Sequence, residues 1–505
     1  MRPDLIVVGA GSSGSVIARR VTENPNLRVL LLEAGPDYPD PTRLPADLAD
    51  GGRNSMSAHD WGYRHRPTRR WLRFPFPRGR VVGGSSAVNT CIALRGQPQD
   101  YDEWAERGLR GWSFAECLPA FKRLERDLDI EDEWHGRDGP LPVRRHAPEE
   151  WVSWQAAFVE ACRELGFPVC YDSNAPGSHG VGPHAMNKVD GRRISAAEAY
   201  LTPEVRGRGN LELRSGTLVR RVLVRGRKVL GVEVQGPAGV ATIEGERVVL
   251  CSGAINTPGV LLRSGIGPRA QVERLGCTLV ADLPAVGRLL DHPGTAIFLR
   301  PRWRAPTSYR DPLIQTVLRY SGNGSGHPSD MLLQPGSKLA LPRVDVPLLS
   351  LMCAVGKPRS IGSLHWPSAD PLAQPRIESR LLADARDRAL AVSAMQLAFR
   401  LAQSKPMAQL ATHFWPNARV LRSRERTEEW IWSACDSGYH PCGTAAMGQP
   451  GDPHAATDER GRVIGVEGLQ VADASLMPTI PSSNIHLAVL MIAERIGEWL
   501  RDGVA

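Results

Sequence analysis

The sequence predicts a chain in two parts: an α/β part built on a parallel sheet, and an α+β part built on an antiparallel sheet. Three observations predict it. An apolar strand, a glycine-rich turn and a helix-periodic stretch open the chain, and a meander of alternating strands followed by another buried strand occupies residues 217–250. Much of the stretch between 291 and 434 alternates apolar and polar residues, as in SDMLLQPGSKLALPRVDVPLLSLMCAV at 329–355. Such alternation is the mark of a sheet with one face in a core.

The opening element reads DLIVVGAGSSGSVIARRVTENPNLRVLLLEAG, residues 4–35. LIVV is a short continuous apolar run rich in β-branched side chains, which suits a strand buried on both faces. Gly9, Gly11 and Gly14 follow at GxGxxG spacing, and SVIARRVTE has helical periodicity. Gly9 permits the tight turn, Gly11 lets a pyrophosphate approach the backbone, and Gly14 lets helix and strand pack closely. Ser12 and Ser13 lie at the start of that helix, whose N-terminus offers free N–H groups to phosphate. LRVLLLE is the next buried strand, and Glu33, followed by Ala34, stands at its end where a carboxylate can accept hydrogen bonds from a ribose. These features make a Rossmann-like dinucleotide site. FAD is favoured over NAD by the glutamate, by the N-terminal position, and by the meander TLVRRVLVRGRKVLGVEVQGPAGVATIEGERVVL with its turn signals RGRK and GPAG. A three-stranded insertion before a buried strand is the layout of glutathione-reductase-type flavoproteins.

Composition narrows the class. With 42% hydrophobic and 23% charged residues in 505, the chain is globular. The net charge of +8 comes from scattered arginines without a long run of one sign, and no nucleic-acid-binding motif accompanies it. No nucleic-acid partner and no metal site are expected. The nine cysteines form no CxxC pair, the first strand begins at Leu5 without room for a signal peptide, and no stretch of about 18 apolar residues occurs. The expectation is a cytoplasmic protein with reduced thiols and no integral membrane segment; oligomerisation stays open.

Two irregular segments carry chemistry-bearing residues. RGRVVGGSSAVNTCIALRGQPQDYDEW, residues 78–104, has paired glycines and paired serines; it suits a loop around a flavin and equally a surface loop. The G-x-S-x-G elbow of a serine nucleophile is missing from it. In SGYHPCGTAAMG, residues 437–448, Pro441 pushes His440 away from helical geometry. That displays an imidazole on a stiff turn, which suits an active site or an ordinary loop.

SGAINTPGVLLRSGIG at 252–267 and the 78–104 segment together resemble the two signature patterns of the glucose–methanol–choline (GMC) oxidoreductase family. The N-terminal segment, DWGY at 60–63, HPCGTAAMG at 440–448 and LQVADASLMPTIPSSNIHLAVLMIAERIGEWL at 469–500 extend the resemblance over the whole chain, in the family's order. The loop NTCIAL is similar to choline dehydrogenases and oxidases. The resemblance implies an FAD domain assembled from residues 1–145, 186–290 and 435–505, and a substrate domain from 146–185 and 291–434. It implies oxidation of an alcohol (a CH–OH donor) to an aldehyde or ketone by hydride transfer to flavin N5, with His440 as base and Asn484 at the second catalytic position. Val81, Gly84, Ser85, Asn89, Val219, Asp473, Ala474 and His486 match cofactor-contacting positions, His486 more by its backbone than by its imidazole. Val88 stands where some members carry a histidine bonded to flavin, so non-covalent FAD is expected.

Trp61 reads either as an aromatic wall for a cationic substrate or as a packing residue. Substrate contacts are expected from the substrate domain, whose tryptophans at 151, 154, 303, 366, 415, 430 and 432 read as core. The electron acceptor is open among oxygen, a quinone and another redox carrier. Two alternatives share the fold: a flavin-containing lyase of hydroxynitrile lyase or photodecarboxylase type, and a non-catalytic flavin-binding accessory protein.

Overall fold

Two sheets of opposite construction organise the chain. The computed structural model describes residues 2–70, 72–340 and 344–504; residues 341–343, inside the alternating stretch, lie outside the described residues.

The first sheet is parallel. Its strands run in the spatial order Leu211–Arg214, Val29–Leu32, Leu5–Val8, Val248–Leu250, Leu469–Val471. Every residue of Leu5–Val8 and Val29–Leu32 is buried, which is why neither strand alternates. Helices Ser12–Val21, Gly253–Arg263 and His486–Arg501 contribute to the same core. The last helix ties the chain's end to its beginning. The fully buried Glu494 accepts from Arg20 Nε at 2.6 Å and Arg20 Nη2 at 3.0 Å, from Tyr200 Oη at 2.8 Å and from Arg123 Nε at 3.0 Å. Removing this carboxylate would strand a buried guanidinium. The predicted meander is present as Leu218–Arg225, Lys228–Gly236 and Gly239–Glu244, all antiparallel.

The second sheet is antiparallel, in the order Ala411–Trp415, Pro293–Pro301, Leu349–Val355, Met331–Gly336, Thr316–Tyr320, Gly180–Pro183. Asp436–Ser437 pairs with the start of Pro293–Pro301. One face, including Ile297, Leu333 and Leu351, packs with helices Ser153–Glu164 and Ala385–Gln403 in a second core. Trp154, Trp366 and Trp432 are buried as expected, but Trp303 is 99% exposed and Trp415 44% exposed. Trp303 projects from the turn after Pro301 and Trp415 ends an edge strand, positions that the sheet leaves open on one side.

Candidate active site

At the carboxyl ends of the parallel strands, beyond Val8, Leu32 and Cys251, a cavity opens. Gly9, Gly11, Ser12, Ser13, Glu33 and Ala34 line it, as do Gly84, Ser85, Asn89 and Val219. Asp473, Ala474, His440, Asn484 and His486 line the same space. Two residues read as cofactor contacts from the sequence do not. Gly14 faces inward, where a Cβ would stand 1.8 Å from the Gly9 carbonyl oxygen. Val81 packs with Leu48, Ala87 and Val88 in a small apolar cluster.

The nucleotide corner is built from backbone. A Cβ on Gly84 would reach 2.8 Å from Gly11 Cα, so the glycine–serine loop lies directly on the GxGxxG turn. Gly11 caps helix Ser12–Val21 without any side-chain hydrogen bond, which leaves first-turn N–H groups available to an anion. Glu33 accepts from Ala10 N at 2.9 Å and Gly35 N at 2.7 Å, and burial pushes its carboxyl up to about 7. Asp473 accepts from Gly253 N at 2.8 Å, Thr257 Oγ1 at 2.6 Å and Ser475 N at 2.8 Å, and so holds the start of helix Gly253–Arg263 at the cavity wall. His486 begins the last helix, and its Nε2 is buried without a partner. Burial lowers that imidazole to about 4, so the ring is neutral. An uncapped helix start, a carboxyl at a strand end and a glycine-lined trough in one cavity fit FAD.

At another side of the cavity three side chains form a chain. His440 Nδ1 lies 2.9 Å from His292 Nδ1, and His440 Nε2 lies 3.0 Å from Asn484 Nδ2. His292 Nε2 lies 2.9 Å from two carbonyl oxygens, those of Gly356 and Pro481. A carbonyl only accepts, so His292 Nε2 carries a proton. Burial lowers His292 to about 4, which leaves it neutral with a bare Nδ1. His440 must then donate from Nδ1. Burial, followed by the neighbouring His292 and Arg78, holds His440 well below the ordinary histidine value. Its Nε2 therefore presents a lone pair, toward which the Asn484 amide donates.

The backbone around these rings is held as tightly. Asp291 Oδ1 accepts from the main-chain N–H of both His292, at 2.8 Å, and His440, at 2.9 Å. Its other oxygen takes the Ser437 hydroxyl, and burial raises its carboxyl to about 6. Tyr439 adopts φ +62°, and Arg78 Nη2 donates to its carbonyl at 2.8 Å. This left-handed residue, with Pro441 on the other side, turns His440 inward. Sequence reasoning missed His292 and Asp291. A signal existed: the dipeptide His-Pro occurs at 292–293 as it does at 440–441.

Trp61 lines the cavity, but its ring already holds the Arg80 guanidinium at 4.8 Å and stacks on Tyr63 at 6.0 Å. It packs against its neighbours here, whereas a cation-binding wall needs a free face. Elsewhere, His135 gathers with Asp127 and Asp172, yet Arg145 pairs with those carboxylates at 2.8 and 2.9 Å and already meets their charge.

Fold and cavity together define a flavin-dependent oxidoreductase. Family models described as GMC oxidoreductase match residues 3–294 and 358–493. A 5-(hydroxymethyl)furfural oxidase from Methylovorus sp. is 34% identical, covering 98% of this chain and 98% of its own. An oxygen-dependent choline dehydrogenase from Brucella anthropi is 32% identical, covering 99% of this chain and 96% of its own. The crystal structure of pyridoxine 4-oxidase from Mesorbium loti superposes with a TM-score of 0.90 at 32% identity, over 98% of both chains. The chain belongs to the GMC oxidoreductase family. It is an FAD-dependent enzyme that oxidises an alcohol and passes the electrons to an acceptor. Among the described residues no helix is long and apolar enough to cross a membrane.

Proposed function

We propose that His440 is the base of this alcohol oxidation and Asn484 its oxyanion partner. The observation that carries the reading is the bare Nε2 of a neutral His440, fixed by His292 and facing Asn484 inside the cavity. An alcohol entering here displaces the Asn484 amide from His440 Nε2 and gives that nitrogen its hydroxyl proton. Asn484 Nδ2 then donates to the oxygen on which negative charge develops. Bound FAD supplies the acceptor for the α-hydrogen and its electron pair. Holding oxygen and carbon against three fixed groups supplies the orientation.

The same reading assigns the cofactor contacts to the glycine turn, Glu33, Gly84, Ser85, Asn89, Val219, Asp473, Ala474 and the His486 end of the last helix. The FAD is non-covalent, since Val88 precedes Asn89 and offers no nucleophile; denaturation with acid is expected to release a yellow supernatant. The division into an FAD domain of residues 1–145, 186–290 and 435–505 and a substrate domain of 146–185 and 291–434 is supported by the two separate cores. Leu364, Trp366 and Ile377 pack into the first core and would be exchanged between the halves. Oxygen is the favoured acceptor, because the furfural oxidase and the pyridoxine oxidase are named as oxidases and the choline enzyme as oxygen-dependent. A cytoplasmic location is consistent with nine cysteines that stay unpaired.

The test is anaerobic mixing with primary and secondary alcohols while the flavin absorbance is followed, beginning with ring compounds bearing a hydroxymethyl group. Bleaching by an alcohol, with colour returning on admission of air, is the expected result. Release of aldehyde without bleaching would turn the reading toward a lyase, and neither event with any alcohol toward an accessory flavoprotein.

A further inference from the structure

We propose that Asp100 is a positioning residue for the reaction: it ties together the two loops whose carbonyls hold the proton of His292, and so keeps His440 Nε2 unprotonated. This rests on the reading of His440 as the base and extends its support to a group outside the cavity.

Asp100 belongs to QPQDYDEW, the end of the segment that carries the glycine–serine loop. Pro98 opens helix Pro98–Glu106, and Asp100, in its first turn, accepts from Gln97 N at 2.8 Å. A carboxylate there meets the positive end of the helix and an N–H that the helix leaves free. Its other contacts are distant in sequence. Oδ2 also accepts from Ser482 N at 2.9 Å and from Ser482 Oγ at 2.7 Å. Oδ1 makes no hydrogen bond and stands 3.3 Å from Lys357 Nζ as an ion pair. Lys357 Nζ in turn donates to Glu103 Oε2, on the same helix, at 2.7 Å and to the Ile480 carbonyl at 2.9 Å. Asp100 is fully buried, so these ties act where charge is weakly screened.

The two tied residues each follow a residue that grips His292. Pro481 precedes Ser482, and Gly356 precedes Lys357. The carbonyls of Pro481 and Gly356 are the two that lie 2.9 Å from His292 Nε2. The loops also touch, since a Cβ on Gly356 would stand 2.8 Å from the Ser482 carbonyl oxygen. One carboxylate therefore sets the spacing of the oxygens that accept the His292 proton. While they stay in place Nε2 keeps that proton, because a bare Nε2 would face two carbonyl lone pairs. His292 Nδ1 is then left to accept from His440 Nδ1, and His440 Nε2 is left for the alcohol. If the loops part, His292 can carry its proton on Nδ1 and donate to His440 Nδ1 instead. The His440 proton then sits on Nε2, and no base faces the alcohol.

The test uses the FAD-loaded enzyme, benzyl alcohol and two variants that loosen the tie from opposite sides, Asp100→Asn and Lys357→Met. In anaerobic flavin reduction each should lower the limiting rate by about tenfold, the scale of one buried hydrogen bond. The half-saturating alcohol concentration should stay in place, since neither residue lines the cavity. In a His292→Leu background the same substitutions should cost no further rate, because losses that pass through one partner do not add. Nitrogen NMR of histidine-labelled enzyme needs no turnover. It should show His292 protonated at Nε2 in wild type and as a mixture of tautomers in Asp100→Asn. Flavin content and melting temperature report whether each variant folds. An unchanged limiting rate in a folded variant, a full additional loss in the His292→Leu background, or a wild-type His292 protonated at Nδ1 would overturn the proposal while leaving alcohol oxidation standing. Failure of benzyl alcohol and every other alcohol to reduce the wild-type flavin would instead remove the alcohol reading, and this proposal with it.

Discussion

The parallel sheet and the segments that carry His440 and Asn484 present different things to the same cavity. The parallel sheet presents backbone: glycines, uncapped N–H groups and one carboxylate at a strand end. The His440 and Asn484 segments, held by His292 at the start of an antiparallel strand, present side chains. Backbone surfaces recognise what every flavoprotein of this kind shares, the phosphates and ribose of the cofactor. Side-chain surfaces decide what differs, the alcohol. Damage to the first is therefore expected to empty the protein of flavin, and damage to the second to leave it yellow and slow.

The largest expected effect is on the backbone side. In Gly14→Leu the new Cβ would meet the Gly9 carbonyl oxygen, an obstacle that cannot rotate away. Loss of most bound FAD is expected in the ratio of flavin to protein absorbance. Full occupancy would break the contrast between the backbone and side-chain surfaces. Next comes His440→Ala, which should retain FAD while anaerobic flavin reduction slows by roughly 10²- to 10⁴-fold. An unchanged rate would remove His440 as the base. His292→Leu removes the acceptor that fixes the His440 tautomer. It should slow reduction by about 10- to 100-fold, the scale of one buried hydrogen bond. It should also move the acid limb of the kcat/KM profile, which a purely structural role would leave in place.

The smallest effects are those of pH. Since His440 is held well below its ordinary value, kcat/KM should keep its plateau at pH 6.5 and fall only further into acid. Stability follows the same groups. His184 is lowered to about 3, and His292 and His486 to about 4, with His440 also depressed. Below about pH 6.5 the unfolded chain takes up protons on these rings that the folded chain refuses, so stability falls as pH falls. Glu33 and Asp291, raised to about 7 and about 6, hold protons in the folded state and oppose this trend over the same range. Burial also lowers His146, to about 4, and raises carboxyls such as Glu125 and Asp473; among the groups first named, four rings against two carboxyls favour a loss on acidification, at most about 1.4 kcal/mol per pH unit for each net proton. Thermal melts of the FAD-loaded protein at pH 7 and pH 5 check it; equal or higher melting temperatures at pH 5 would contradict the buried neutral histidines.

Much of the nucleotide corner was legible before any coordinates. A strand, a glycine turn and a helix are contiguous in sequence, so residue spacing sets their geometry, and Gly9, Gly11 and Glu33 reach the cavity as read. Gly14 and Val81 show the limit: spacing identified the loops but not which of their residues face inward. The catalytic corner was half legible. His440 and Asn484 stood in recognisable segments, whereas His292 lies 148 residues from His440 and only the folded chain sets it against that ring. Trp61 was left between two roles, because nothing local announces that Arg80 covers its ring.

By itself, then, the sequence determined the architecture, the cofactor class and the identity of the imidazole and amide that meet in the cavity, because each rides on a short segment whose conformation is set by near neighbours. Tertiary structure alone decided which nitrogen of His440 is unprotonated and which face of the antiparallel sheet enters the second core. Both depend on contacts between strands far apart in the chain: a tautomer is set by its partner's proton, and a side chain's face by the register of pairing, and neither is written in local spacing.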